Sequence, residues 1–205
     1  MQPSVIMPAA APASVPATRS QQMIDERDKE IQVCFAPYAQ RIVRNWLKTQ
    51  DKYRCKPDFL NGQDQIKCYM RETLIDWIVT INYRLGHRRE TLYLAVNIMD
   101  RYVNHTIQHK TDCVVRSDYQ LVGISAYFIA CKYEEIYYPD ISNLLTYADN
   151  IYTAEQIKQM ELKIANTLKF DFTVPTTNKF LGRFLRVSIV SNNFIPLTFE
   201  MVCHL

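Results

Sequence analysis

An almost uninterrupted apolar run near the middle of the chain constrains the fold more than any other feature. From Leu121 to Cys131 nearly every residue is apolar or small, so a helix formed here has no polar face and must be packed on all sides. The run is too short to cross a bilayer, which takes about 20 residues. It therefore predicts a buried central helix, within a stretch that extends from Ser117 to Pro139.

Both ends of this predicted helix carry further signals. Ser117 and Gln120 have the spacing of a capping box, which predicts that the helix begins there. Gly123 is unfavourable inside a helix, so its presence indicates close approach of a crossing helix. At the other end the charges of Lys132, Glu134 and Glu135 are gathered together, which suggests a surface that meets a partner.

Apolar residues at helical spacing predict further amphipathic helices on both sides of the central one. One runs from Tyr38 to about Pro57, and the next two cover residues 65–85 and 90–103. Residues 104–116 read as a polar loop, and Pro139 opens a short helix through Leu145. Thr153 and Gln156 repeat the capping box before another helix, and the pattern resumes after residue 178. No strand-like alternation is found, so the predicted class is all-α.

Composition excludes several classes of function. The net charge of +3 is mild and unclustered, which indicates neither a nucleic acid nor a membrane as a partner. The six cysteines are scattered, one of them inside the apolar run, which favours reduced intracellular thiols. The four glycines are not grouped, so no phosphate-binding loop is available, and no catalytic motif is found. We therefore expect a protein that is not an enzyme and holds no cofactor.

One trio of residues has the spacing of metal ligands. His105, His109 and Cys113 are four residues apart and would share one face of a helix. The surrounding residues read as a loop and no fourth ligand is nearby, so solvated side chains are the preferred interpretation and no metal site is predicted. The basic cluster of Arg84, His87, Arg88 and Arg89 is read in the same way, as a solvated turn.

Four motifs in a fixed order resemble the cyclin box of A/B-type mitotic cyclins. They are MRETLIDW (70–77), ETLYLAVN (90–97), DRY (100–102) and ACKYEEIY (130–137). Met160-Glu161 and residues 168–172 extend the resemblance, which covers about residues 38–185. It implies a five-helix cyclin box, usually followed by a second copy of the same fold.

The resemblance gives the predicted domain organisation. Residues 1–30 are a disordered Pro/Ala-rich tail and linker, and residues 31–58 contain an N-terminal helix. Residues 59–174 are the cyclin box, and residues 175–205 begin a second, incomplete cyclin-like repeat. The chain is thus expected to be a fragment, a short form or a degenerate paralogue.

The resemblance also implies a function and the residues that perform it. A cyclin of this type binds and activates a cyclin-dependent kinase, with expected roles at G2/M and expected location in nucleus and cytoplasm. The residues that match kinase-contacting positions are Lys132, Glu161, Glu134, Glu135, Ile136, Phe170, Tyr38 and Ile42. Arg71 and Asp100 match a buried structural ion pair.

A second set of residues matches the hydrophobic patch on which cyclins hold Arg-x-Leu peptides of substrates and inhibitors. We call it the docking patch, and it consists of Met70, Leu74, Trp77, Gln120 and Asp149. The alternative interpretation of its apolar stripe is core packing. Thr80 stands where the family usually has a Glu that receives the peptide's Arg, so we expect weaker reading of that Arg.

Two other functions stay open at this level. The same five-helix fold serves general transcription factors that bind DNA and other factors, and the fold alone cannot choose between them. The match at Lys132 and Glu161, together with the weak basic balance, favours the kinase regulator. An inert, truncated paralogue is the third possibility.

Overall fold

The protein is described by a computed structural model over residues 38–110 and 113–191. These residues form helices and contain no strand, so the prediction of an all-α fold is confirmed. The predicted tail, the start of the predicted 31–58 segment and the end of the predicted second repeat fall outside the described residues.

Seven α-helices account for most of the described residues. They are α1 (Ala39–Thr49), α2 (Cys68–Leu85), α3 (Arg89–His109), α4 (Tyr119–Glu134), α5 (Ile141–Tyr147), α6 (Ala154–Thr167) and α7 (Thr177–Ser191). Residues 44–180 form one compact unit, while the described residues 38–43 and 181–191 are assigned to a second. Helices α2–α6 therefore belong entirely to the first unit. Among the described helices, none combines the length and apolar character needed to cross a bilayer.

Helix α4 is the centre of the first unit. Every residue from Leu121 to Cys131 is buried, because α3 packs along one side of α4, α6 along another, and α2 also contacts it. The buried side chains of these helices form one hydrophobic core. The apolar run thus forms the predicted central helix.

The predicted start of this helix is wrong. The chain makes a 3-10 turn over Arg116–Asp118, and the α-helix begins at Tyr119. Asp118 already has helical backbone angles and makes no side-chain capping bond. The Ser117 hydroxyl instead donates to the Asp118 carboxylate at 3.0 Å, so it does not cap the helix.

The boundaries of α2 and α3 also differ from the predicted ones. Helix α2 begins at Cys68 rather than at residue 65, because the Gln63 side chain folds back and accepts from the Ile66 amide at 2.7 Å. Helix α3 continues to His109, through half of the predicted polar loop. The reason is Thr106, which is buried and satisfies its hydroxyl by donating to the Val103 carbonyl at 2.8 Å.

Other local signals were read correctly. The Thr153 capping box is confirmed, since its hydroxyl accepts from the Gln156 amide and the Gln156 side chain accepts from the Thr153 amide. Gly86 ends α2 in the left-handed conformation, with φ of 65°. The N-terminal helix α1 ends at Thr49, before Pro57 as predicted, and is followed by a 3-10 turn over Gln50–Tyr53.

Gly123 marks a close approach of two helices, as predicted. A Cβ atom at this position would lie 2.9 Å from both Cδ atoms of Leu74 on α2. That separation is shorter than van der Waals contact, so any side chain here must push Leu74 aside.

We expect Gly123→Ala to lower the free energy of unfolding by about 1 kcal/mol, because overpacking costs more than the gain in helix propensity. Gly182→Ala is the matched control, since a Cβ there meets no atom within 4 Å and should not destabilise. Urea denaturation of both variants checks this. A stabilised Gly123→Ala variant would contradict the close-approach interpretation.

Candidate functional site

An ion pair lies near the exposed end of the central helix. The Lys132 ammonium on α4 contacts the Glu161 carboxylate on α6 directly, and its Nζ atom also lies 4.4 Å from the centroid of the Phe128 ring. The two charged side chains are 34% and 22% exposed. The pair predicted to touch a kinase is therefore assembled within the chain, partly desolvated and still open to solvent.

Exposed aromatic and apolar side chains flank the same end of α4. Phe170 is 63% exposed and Ile136 is 86% exposed. The Phe170 ring packs edge-on against Phe172 at 6.3 Å, and Phe172 packs against Tyr133, which follows Lys132 directly. Large exposed apolar groups beside a charge pair are typical of a surface that another protein covers.

The backbone holds Phe170 in an unusual conformation. Lys169 and Phe170 have φ of 54° and 55°, a left-handed region that costs non-glycine residues free energy. The Phe170 amide donates to the Ala165 carbonyl at 2.9 Å, which closes the end of α6 in a Schellman arrangement. The strain is thus compensated locally, and Phe170 remains exposed beyond the helix end.

Glu135 is engaged inside the chain rather than free on the surface. Its Oε1 atom accepts from the Arg88 amide at 2.8 Å and from the Thr91 hydroxyl at 2.5 Å. These groups stand at the start of α3, where a helix leaves backbone donors unpaired. Burial alone would raise the pKa of Glu135, but the hydrogen bonds from Thr91 and Arg88 and nearby positive charge hold that pKa below its ordinary value.

Glu134 joins two other parts of the chain. Its carboxylate lies 3.8 Å from the Lys179 ammonium and 4.0 Å from the Arg88 guanidinium. Lys179 also donates to the Val174 carbonyl at 3.1 Å, and the Tyr133 hydroxyl is 2.6 Å from that of Thr173. The end of α4 therefore anchors the segment that leads into α7.

Glu135→Gln should lower the free energy of unfolding by about 1.5 kcal/mol at neutral pH, because it removes the charge from these hydrogen bonds. A lowered folded-state pKa stabilises the protein fully above the ordinary value of 4.5, and this stability is lost as the pH falls through the folded-state pKa. The difference between the wild type and the variant should therefore shrink below pH 4.5. Urea denaturation of the wild type and the variant at neutral pH and below pH 4.5 measures this difference. A difference that is the same at both pH values would contradict the stabilising role of the Glu135 carboxylate.

The docking patch is only partly open. Leu74 is buried beneath the Gly123 crossing, whereas Met70 and Trp77 are half-buried and also pack against the core. Leu74 therefore has a core-packing role. Met70 and Trp77 keep part of their surface exposed to solvent.

The polar members of the docking patch lie on other elements. Gln120 is half-buried at the start of α4 and accepts from the Tyr152 hydroxyl at 3.4 Å. Asp149 is exposed, in a left-handed conformation just after α5. Thr80 is exposed on α2, and its hydroxyl donates to the Asp76 carbonyl at 3.0 Å. The sequence did not indicate this hydrogen bond between Tyr152 and Gln120.

Arg71 and Asp100 form a bidentate ion pair between α2 and α3. The two N–H···O distances are 2.8 and 2.7 Å. The side chains are 30% and 14% exposed, so the pair is half-buried rather than fully buried as the resemblance implied. Its bidentate geometry helps to fix the position of α2 relative to α3.

The two N-terminal residues matched to kinase contacts belong to the other compact unit. Tyr38 precedes α1 and is 57% exposed, and Ile42 is half-buried on α1. Their predicted role in kinase binding stays a prediction.

His105, His109 and Cys113, for which the sequence predicts solvated loop side chains and no metal site, are arranged differently in the structure. His105 and His109 lie on α3 rather than in a loop, and their rings stack with centroids 4.0 Å apart. Within the part of the chain that the structure describes, no cluster of three potential ligands could hold a metal ion. The two imidazole rings are nearly parallel, so the lone pairs of their nitrogens lie in parallel planes. Those lone pairs therefore do not converge on one point, as two ligands of a single metal ion must.

A buried polar network was not visible in the sequence. The Tyr127 hydroxyl lies 2.8 Å from His87 Nδ1 and donates to Asn82 at 3.3 Å. Burial lowers the pKa of His87 and raises the pKa of the adjacent Cys131 to about 12. Asn82 and His87 lie about forty positions before Tyr127 and Cys131 in the sequence, and the basic cluster around His87 gave no sign of contacts between them.

Comparison with known proteins identifies the class to which this helical domain belongs. A solved viral cyclin from herpesvirus saimiri has the same fold, with a TM-score of 0.56 and 17% identity over 65% of this chain and 56% of that protein. The fold is therefore the cyclin fold.

The sequence comparison then establishes the family. The family model described as "Cyclin, N-terminal domain" matches residues 41–173, so the chain belongs to the cyclin family. Similar relatives include Cyclin-B2-2 of Oryza sativa subsp. indica, 36% identical over 80% of this chain, and G2/mitotic-specific cyclin-A of Hydra viridissima, 36% identical over 89%. The resemblance to A/B-type cyclins is thus confirmed. The chain spans only 38% and 43% of the length of these two relatives.

Proposed function

We propose that this cyclin binds and activates a cyclin-dependent Ser/Thr kinase, acts at G2/M, and works in nucleus and cytoplasm. The observation that carries the proposal is the half-exposed Lys132–Glu161 pair at the end of α4, beside exposed apolar residues. A charge pair with an apolar surround suits a protein interface, where it fixes register and orientation. The protein itself has a regulatory and non-catalytic role.

The mechanism follows from how such kinases are controlled. A protein kinase is active only when the Glu of its mobile helix pairs with the catalytic Lys. A rigid surface that packs against that helix can shift its equilibrium towards the active position. Helix α4 is buried on all sides, so its exposed end is a rigid platform for such a contact.

Titration of the purified protein against candidate kinases in a calorimeter tests this proposal. Saturable binding of one kinase supports it, whereas binding of DNA with no kinase binding would favour the transcription-factor alternative. Arg88 and Arg71 are both paired with carboxylates, so neither offers an uncompensated charge to a DNA phosphate. Failure to bind either partner would favour an inert paralogue.

The docking patch adds a second proposed contact, for Arg-x-Leu peptides of substrates and inhibitors. Met70 and Trp77 keep partly open apolar surface for the peptide's Leu, in the mode by which shallow grooves hold short peptides. Thr80 supplies no carboxylate for the peptide's Arg, and Asp149 is an exposed acid in the same set. The docking patch should therefore bind the Leu side chain of the peptide but bind its Arg side chain only weakly.

Thr80→Glu should raise the preference for an Arg-x-Leu peptide over Ala-x-Leu by about tenfold, because a charge-assisted hydrogen bond is worth about 1.5 kcal/mol or more. Fluorescence anisotropy with both labelled peptides measures it. Val79→Glu, at an exposed position on the side of α2 opposite Met70 and Trp77, is the control for added charge on the same helix. A wild-type protein that already strongly prefers Arg would contradict the prediction.

A further inference from the structure

A cavity of about 380 Å³ lies beside the first turns of α2. Its walls come from residues 55–60, from the start of α2 and from Asp100 on α3. Small-molecule pockets have volumes of about 300–1,000 Å³, so this cavity is large enough for a small ligand. All of its walls belong to the compact unit of residues 44–180.

Two thiols line this one cavity. Cys55 is half-buried and Cys68, the first residue of α2, is exposed, and both are free. Apolar surface from Phe59 and charged groups of both signs, including Lys56 and Glu72, complete the walls. A pair of thiols beside mixed charges suits a ligand that carries a disulfide, carboxylates and an amine.

The cavity is distinct from the docking patch. Successive residues of an α-helix are about 100° apart around its axis. Cys68 and Glu72 therefore lie on one side of α2, and Met70, Leu74 and Trp77 lie on the other. The cavity is also separate from the Lys132–Glu161 surface, none of whose residues lines it.

We propose that this cavity is a thiol-modification site that takes up low-molecular-weight disulfides of the glutathione class. Cys68 is the residue modified, and Cys55 is the second thiol that releases the adduct. The site couples the thiol–disulfide state of the surroundings to the segment that carries the Arg71–Asp100 ion pair, because both charged residues line the same cavity.

The chemistry consists of two thiol–disulfide exchanges. First the Cys68 thiolate attacks one sulfur of glutathione disulfide, so that a Cys68–glutathione bond forms, the glutathione disulfide bond breaks, and the proton lost by Cys68 ends on the released glutathione. The Cys55 thiolate then attacks Cys68 Sγ and expels the second glutathione as a thiol. The protein is oxidised by two electrons and the disulfide is reduced to two glutathione molecules.

The order of the two steps follows from exposure. Cys68 is open to solvent and meets the ligand first. Burial and the nearby Asp100 charge raise the pKa of Cys55 to about 11, so few Cys55 thiolates exist at neutral pH. The second exchange should therefore be slow at neutral pH and faster as the pH rises.

The test is to treat the folded, full chain with glutathione disulfide and to follow every cysteine by peptide mapping and mass spectrometry. Cys113 is the internal control, because it is exposed but does not line the cavity. Cys68 should form the mixed disulfide about tenfold faster than Cys113, since binding places the reagent beside the thiol. Hydroxyethyl disulfide, which carries no charges, should show little of this preference.

The role of Cys55 is tested by Cys55→Ser. In the wild type the Cys68 adduct should decay into a Cys55–Cys68 disulfide, and in the variant it should persist. The proposal is overturned if Cys68 reacts no faster than Cys113, or if the adduct lasts equally long in both proteins. Circular dichroism before and after treatment confirms that the folded protein was measured.

Discussion

Replacing Lys132 or Glu161 by alanine is expected to weaken kinase binding by about 30-fold or more, because removing one partner of a desolvated interfacial charge pair costs about 2–5 kcal/mol. The remaining charge would be buried by the kinase without a partner. In the free protein the two side chains are partly exposed, and an ion pair of this kind contributes little to stability. The variants should therefore stay folded while they lose affinity.

Calorimetric titration against the same kinase measures the loss, and thermal unfolding checks the fold. Glu155→Ala is the matched control, because Glu155 is an exposed carboxylate on the same helix, and its side chain accepts a hydrogen bond from Gln159. Its affinity should equal that of the wild type. Unchanged affinity in both Lys132→Ala and Glu161→Ala would refute the assignment of this surface.

Asp100→Ala is expected to give the largest loss of stability, about 3 kcal/mol, because it leaves the Arg71 guanidinium half-buried without its carboxylate. The figure lies at the low end of the range for buried pairs, since Arg71 is 30% exposed. An arginine guanidinium keeps its proton in proteins, so Arg71 stays charged in the variant and cannot escape the penalty by losing its proton.

Urea denaturation of Asp100→Ala measures this loss. Asp64→Ala is the control, because Asp64 pairs with Lys67 on the surface and should change nothing measurable. Replacing both Arg71 and Asp100 by apolar residues should recover part of the loss, since no unpaired charge remains. An Asp100→Ala variant that is as stable as the wild type would contradict a structural role for the ion pair.

The sequence was most informative where local chemistry decides the structure. The apolar run from Leu121 to Cys131 predicted the buried α4 helix because no other arrangement hides so many apolar residues. Thr153 predicted the start of α6 because its capping bond is made within four residues. The family motifs matched both Lys132 and Glu161, which are far apart in sequence, to kinase-contacting positions, and the structure shows that their side chains pair.

Prediction failed where tertiary contacts override local preference. Ser117 has the spacing of a cap, yet the 3-10 turn directs its hydroxyl to Asp118 instead. Thr106 reads as a loop residue but is buried with α3. Glu135 matches a kinase-contacting position, which stays a prediction, and nothing in the sequence indicated its hydrogen bonds to Arg88 and Thr91, which join residues more than forty positions apart. No sequence pattern encodes such contacts without knowledge of the fold.

We propose that this protein activates a cyclin-dependent kinase, and the most direct test is the kinase's own activity. A purified, monomeric kinase is assayed on a basic substrate peptide with increasing amounts of the protein, with the Lys132→Ala variant alongside. We predict that the wild-type protein raises the rate of phosphorylation to a plateau and that the variant requires a much higher concentration. A kinase that binds the wild-type protein but phosphorylates the peptide no faster would contradict the claim.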